Sequence, residues 1–260
     1  MHIIHSLDEQ ISIERPLAMT IGNFDGVHLG HQAILAKLRE KAARDNGETV
    51  VISFTNHPIE ILQPGTIVPR LCTLEYKIKL MEEQGIDHLM LLRFTVEFSQ
   101  QTPEKFLEKV QKWHPIRYLL LGEDAVLGKD RQGNSARIQD LSKQLGFEVE
   151  YLNKLSIQGE SISSRKVRQI ITAGNLGLAS QLLGRKYSIY SPIIEIDHNV
   201  VSMDTTGLCL PPPGDYAIKF KVNGNICHGQ VKISPTGVLT VTPVGLNEDL
   251  AVGTFVEVIF

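Results

Sequence analysis

The chain has 260 residues, 42% of them hydrophobic and 21% charged, with a formal charge of −3. That length accommodates two domains, the composition is that of a globular protein with no disordered tract, and the near-neutral balance argues against a dedicated binder of nucleic acid or anionic membrane and for a small ligand. Cys72, Cys209 and Cys227 are odd in number and far apart, giving neither a disulfide framework nor a C-x-x-C metal pattern, so a reducing compartment is expected. The amino terminus, Met1-His2-Ile3-Ile4-His5-Ser6-Leu7, lacks the basic start and apolar core of a signal peptide, and no apolar run reaches spanning length. These features read as a cytoplasmic protein.

In chain order, the apolar run Leu17-Ala18-Met19-Thr20-Ile21 is followed by a glycine-rich turn, Gly22 to His31, and by the amphipathic Gln32-Ala33-Ile34-Leu35-Ala36-Lys37-Leu38. A strand, a loop and a helix in this order make an anion site from backbone N–H groups and the helix dipole. Gly22, Gly26 and Gly30 let a phosphate chain approach the backbone, and His28 and His31 share a face if the helix begins near them. A zinc ion on the two imidazoles is the other local reading, but no Cys or carboxylate stands at matching spacing.

Further short apolar runs read as buried parallel strands: Thr49 to Phe54, His88 to Phe94, Tyr118 to Leu121 and Phe147 to Leu152. Helices fall between them. Thr73 caps one from Leu74 to Gln84 that Gly85 closes, and Thr102-Pro103 opens another through about Trp113. His57-Pro58 ends the second strand in a turn. Glu123-Asp124 leaves the fourth, where the Asp124 carboxylate either meets a ribose or a magnesium ion or caps the next turn. Ser163 or Ser164 caps a helix through Val167 and Ile171, with hydroxyls on offer to phosphate. Alternation of this kind predicts an α/β fold with a parallel, doubly wound, Rossmann-like sheet over residues 1–185.

Past Leu183-Gly184-Arg185-Lys186 the texture changes to runs alternating around glycine and proline, including Tyr216 to Val222 and Phe255 to Phe260. Asn223-Gly224 between two such runs signals a hairpin, so residues 186–260 are predicted to form a small antiparallel β-barrel domain.

The stretch Gly22-Asn23-Phe24-Asp25-Gly26-Val27-His28-Leu29-Gly30-His31 resembles the H-x-G-H signature of the nucleotidyltransferase superfamily. In its longer form it is similar to bacterial FAD synthetases, the bifunctional riboflavin kinase/FMN adenylyltransferases. The likeness continues through Phe54-Thr55-Asn56-His57-Pro58, through Pro69 to Lys77, through Gly85 to Phe106 and through Ile162-Ser163-Ser164-Arg165-Lys166-Val167-Arg168, thinning after Ile189. It implies adenylyl transfer from ATP to FMN with Mg²⁺, and catalytic roles for His28 and His31. Nucleotide contacts are implied for Gly22, Asn23, Phe24, Asp25, Gly30, Asp124, Ser163, Ser164 and Arg168, and flavin contacts for His57 and Pro58. Among the charged residues of 69–77, most of them a solvated helix face, Arg70 is the candidate for a place in the cleft.

Departures from the family pattern bear on the acceptor. Ala125 and Leu127 stand where the family has aromatic residues, Val126 where it is usually polar or basic, and Arg165 where threonine is usual. The family's P-T-A-N kinase segment is absent from the region of Tyr190 to His198, so the barrel is expected to be a degenerate kinase domain. Glu257 is the one vaguely placed candidate base, on a terminal strand where a glutamate ordinarily faces solvent. Two competing functions stay open at this point: a non-catalytic flavin or nucleotide sensor, and a nucleotidyltransferase with a different phosphorylated acceptor.

Overall fold

The computed structural model describes residues 1–9, 13–157, 159–246 and 249–260, the Arg131 side chain apart. The chain divides into two compact units. One comprises Met1–Val68 and Ile78–Ser156, the other Pro69–Lys77 and Ile157–Phe260.

In the first unit, strands β1 (His2–Ile4), β2 (Leu17–Ile21), β3 (Glu48–Phe54), β4 (His88–Leu92), β5 (Ile116–Gly122) and β6 (Glu148–Leu152) form a sheet in the order β1-β4-β3-β2-β5-β6. Every pairing is parallel. The central strands are rich in apolar residues because both faces are covered: Met19, Ile52, Leu119 and Leu121 meet Phe106, Leu107 and Ile138 in one core cluster, and the alternate residues Ala18, Val51 and Leu120 are buried as well. The covering helices are α1 (Leu29–Arg44), α2 (Pro58–Leu62), α3 (Leu74–Glu83), whose first turn falls in the second unit, α4 (Val96–Ser99), α5 (Pro103–Trp113) and α6 (Ser135–Leu145). The expected caps form: Thr73 Oγ1 accepts from Tyr76 N–H at 3.2 Å, and Thr102 Oγ1 from Lys105 N–H at 3.4 Å, with Pro103 in the first turn.

Strand order reverses at β2, with β3 and β4 running to one side and β5 and β6 to the other. The carboxyl ends of β2 and β5 therefore flank the crevice where an open α/β sheet takes its ligand. Gly22 to His28 leaves one of these strands and Glu123-Asp124 leaves the other.

In the second unit, the short strands β7 (Ser156–Ile157) and β8 (Glu160–Ser161), which pair with one another, lead into α7 (Ser164–Thr172) and α8 (Leu176–Leu183). Residues 157–185, which sequence pattern alone places with the sheet, group instead with the barrel. That barrel is closed in the order β10-β13-β12-β11-β14-β9, from β9 (Ser188–Asp197), β10 (Val200–Met203), β11 (Gly214–Val222), β12 (Asn225–Ile233), β13 (Leu239–Val244) and β14 (Phe255–Ile259). Closure removes the edges of the sheet, and Phe220, Val231, Val241, Val256 and Val258 fill the interior. Asn223 and Gly224 turn β11 into β12 with φ of 47° and 89°, the left-handed pair of a tight hairpin turn.

Glu257 departs from expectation. It is 8% exposed, and its carboxylate accepts hydrogen bonds from Tyr76 Oη at 2.7 Å and Ser188 Oγ at 2.9 Å. Two hydroxyls compensate a carboxylate that a terminal strand would ordinarily leave in water. Burial pushes the Tyr76 hydroxyl up to about 12. Among the described residues no helix is long and apolar enough to cross a membrane.

Candidate active site

The loop after β2 is folded tightly before it reaches α1. Gly22 N–H donates to Ile52 O at 3.0 Å, Ser53 Oγ to Asn23 O at 3.1 Å and Val27 N–H to Phe24 O at 3.2 Å. Phe24 and Val27 take positive φ of 50° and 39°, a region that a β-branched residue enters only when its surroundings dictate it. Gln32 Nε2 holds the turn by donating to Val27 O at 2.8 Å. Phe24, Asp25 and His28 are buried, while Asn23 and Gly30 are partly exposed.

His28 is itself the N-cap of α1, its Nδ1 accepting from the backbone N–H of His31 at 3.3 Å. The two imidazoles stack, with centroids 3.6 Å apart and planes 14° from parallel, and Phe24 leans on His31 at 4.9 Å. The first turn of α1 carries no acidic residue, so the partial positive charge of the helix end is left for an anion.

A cavity of about 460 Å³ opens beside the strand ends, with Gly22, Pro58 and Asp124 on its wall together with Ala125, Val126 and Leu127. Phe54, Phe94, Phe98 and Phe106 supply its apolar flank, packed edge to face with Phe54 5.2 Å from Phe94 and 5.6 Å from Phe98. Sequence reading passes over this quartet, since its members come from β3, α4, α5 and a loop. Only the spacing of Phe94 and Phe98 offers a local signal.

Asp124 stands at the rim, its carboxylate 2.9 Å from Lys154 Nζ, an ion pair that holds the lysine charged. His57 caps α2 through Nδ1, which accepts from Ile59 N–H at 3.2 Å, so it positions the helix that brings Pro58 to the cavity. In the second unit Ser163 caps α7 by accepting from Lys166 N–H at 3.2 Å, with Ser164 and Arg168 on the same helix. Arg70, the candidate for a place in the cleft, donates instead to Thr206 O at 3.0 Å, and its backbone pairs with Leu208.

Residues 10–166 match the FAD synthetase family. A bifunctional riboflavin kinase/FMN adenylyltransferase of Haemophilus influenzae is 33% identical over 238 residues, covering 88% of this chain and 77% of that protein. Proteins of the same description from Listeria monocytogenes and Escherichia coli K12 are 32% and 30% identical, covering 90% and 83% of this chain and 76% and 71% of their own lengths. A solved structure of a macrolide-efflux protein from Streptococcus pneumoniae superimposes with a TM-score of 0.85 at 21% identity, over 100% of this chain and 89% of that one, a likeness of fold. An α/β nucleotidyltransferase fold with a paired-histidine loop at its switch point is the class these features define. The chain belongs to the FAD synthetase family and is an enzyme of FAD synthesis.

Proposed function

We propose that the chain forms FAD by transferring the adenylyl group of ATP to the phosphate of FMN. The observation that carries this reading is the stacked pair His28 and His31 at the amino end of α1, on the same unit as a phenylalanine-flanked cavity suited to a flavin ring. An FMN phosphate oxygen attacks the α-phosphorus of ATP. The new P–O bond forms as the bond from the α-phosphorus to the bridging oxygen breaks, and pyrophosphate leaves with the electron pair. Positioning and charge stabilisation account for the acceleration of such transfers.

The hydrogen bond into His28 Nδ1 implies that a neutral ring carries its proton on Nε2, a donor for a phosphoryl oxygen. His31 stabilises the same developing charge. Gly22, Asn23, Phe24, Asp25 and Gly30 shape the loop that receives the nucleotide, and Asp124 addresses its ribose or metal. Ser163, Ser164 and Arg168, on a capped and cationic helix start, hold phosphate oxygens. Pro58 contacts the flavin and His57 holds Pro58 in place.

The donor set suits a Mg²⁺ that enters with ATP. Such an ion is held by substrate phosphates plus one or two carboxylates, and Asp124 is a carboxylate of the cavity wall beside the end of β5. When bound, it offsets the repulsion between the triphosphate and the attacking phosphate.

The first 185 residues act as the adenylyltransferase domain, and residues 186–260 as a barrel that has lost riboflavin kinase activity. An interior filled by apolar side chains supports that loss, as does the engagement of Glu257 by Tyr76 and Ser188. Composition supports a cytoplasmic setting with small-molecule partners. Purified protein incubated with Mg-ATP and either riboflavin or FMN, with products separated by chromatography, tests both halves. FAD from FMN and no FMN from riboflavin is expected. Phosphorylated riboflavin would overturn the loss of kinase activity, and failure to form FAD would overturn the transfer.

A further inference from the structure

An apolar slot flanked by aromatic side chains takes a flat ring without saying which ring, and it is the few polar groups on the wall that choose. Apart from Gly22 and Asp124 at the strand ends, the polar lining is Ser99, Gln101 and Asp130. The Ser99 hydroxyl is engaged within its own helix, donating to Val96 O at 2.6 Å. Gln101 is tied to the turn that carries Asp130 through the backbone, Lys129 N–H donating to Gln101 O at 2.8 Å.

The loop bearing Asp130 is clamped. Leu127 and Gly133 exchange both backbone hydrogen bonds, at 3.1 and 2.8 Å, and Gln132 N–H donates to Lys129 O at 3.0 Å. Gly128 sits so close to Pro103 that a Cβ would lie 2.5 Å from Pro103 Cδ. Within this clamp Asp130 takes φ 51° and ψ 28°, a left-handed conformation inside a turn of 3-10 helix (Lys129–Arg131). Conformations of that kind persist where the surroundings over-determine them, and they gather at ligand clamps.

We propose that Gln101 and Asp130 are specificity-determining residues that read the hydrogen-bonding edge of the acceptor's ring. The Asp130 carboxylate accepts from an imide N–H, and the Gln101 amide donates to a flanking carbonyl. The acceptor is the FMN of the proposed transfer, and what is assigned is the pair of residues that meets its C(=O)–NH–C(=O) edge. A carboxylate at this position also repels the acceptor's phosphate, which turns that group toward the histidine loop and sets the polarity of binding. The inference rests on the adenylyltransferase reading and refines its acceptor site.

The test compares FMN with 3-methyl-FMN, in which the imide N–H is replaced by N–CH₃, as acceptors for the purified full chain at saturating Mg-ATP. The wild type should favour FMN by about tenfold in kcat/KM, the loss of one hydrogen bond to a charged group plus the added methyl. Asp130→Gly keeps the backbone conformation without a side chain, and should bring the preference close to unity by raising KM for FMN while KM for ATP holds. Asp130→Asn, which retains a carbonyl acceptor, should recover part of it, and Gln101→Leu should raise KM for both flavins alike. A wild type indifferent to the methyl group, or an Asp130→Gly variant with undiminished preference, overturns the assignment. Failure of the wild type to make FAD from either flavin would instead overturn the adenylyltransferase reading.

Discussion

Tyr76 is held by the fold against the buried carboxylate of Glu257. The phenol donates to a buried carboxylate, and burial raises its pKa, with the Arg185 charge opposing the rise and the Glu257 charge adding to it. Removing the hydroxyl by Tyr76→Phe should cost about 1.5–3 kcal/mol at neutral pH, the range for a hydrogen bond to a charged group. The pH dependence has a definite sign. Tyrosine ionises near 10.0 when exposed and at about 12 here, so the folded state keeps the proton longer than the unfolded one. The proton-linked stability is fully present below pH about 10 and is lost as pH rises toward about 12. Urea unfolding of wild type and variant at pH 8 and 11 should show the gap narrowing, and a constant gap would contradict the assignment. None of this was legible in the sequence, because Tyr76 and Glu257 are 181 residues apart and no local pattern marks a strand glutamate for burial. His28 was half legible. Its place beside the helix start followed from the glycine-rich turn, but its role as the cap depends on Nδ1 turning back to His31.

At the level of elements, what was legible had a local cause. The buried strands β2 to β5 announced themselves as apolar runs, the Thr102-Pro103 start as a cap with proline, and the β11–β12 turn as Asn223-Gly224. By contrast, β6, read as another buried strand, lies at the sheet edge and is exposed or half-buried along its length. β1 was not seen, since a strand of three residues, His2–Ile4, carries no periodicity and is defined by its pairing with β4. The phenylalanine flank was equally invisible, being assembled from four separate places in the chain. The residues Asp124 to Leu127 stood out in the sequence as a candidate site, but the rigidity of their loop comes from Pro103, on another helix. Gly128→Ala would set a Cβ against Pro103 at a φ of +75°. We expect a loss of about 1–3 kcal/mol in stability and a severalfold rise in KM for FMN, with KM for ATP unchanged. Chemical denaturation and steady-state kinetics check both. A variant as stable as the wild type with unaltered KM for FMN would show that the close packing does not form the wall.

For the molecule as a whole, the order of an α/β sheet followed by a barrel was readable from the switch between alternating strands and helices and the later glycine-punctuated strands. The membership of residues 69–77 in the barrel unit was not, because it depends on pairings such as Arg70 with Leu208 that only the folded chain creates. The proposed role of the histidines falls within one unit, in which β2 and β5 diverge and the paired imidazoles stand at the start of α1. The most direct measurement is turnover of FMN and Mg-ATP to FAD by His31→Ala, set beside calorimetric binding of ATP to the same variant. A fall in kcat of about a hundredfold or more, with ATP affinity changed by less than about threefold, is the predicted result for a group that acts chiefly on transition-state charge. FAD formation at the wild-type rate would contradict it.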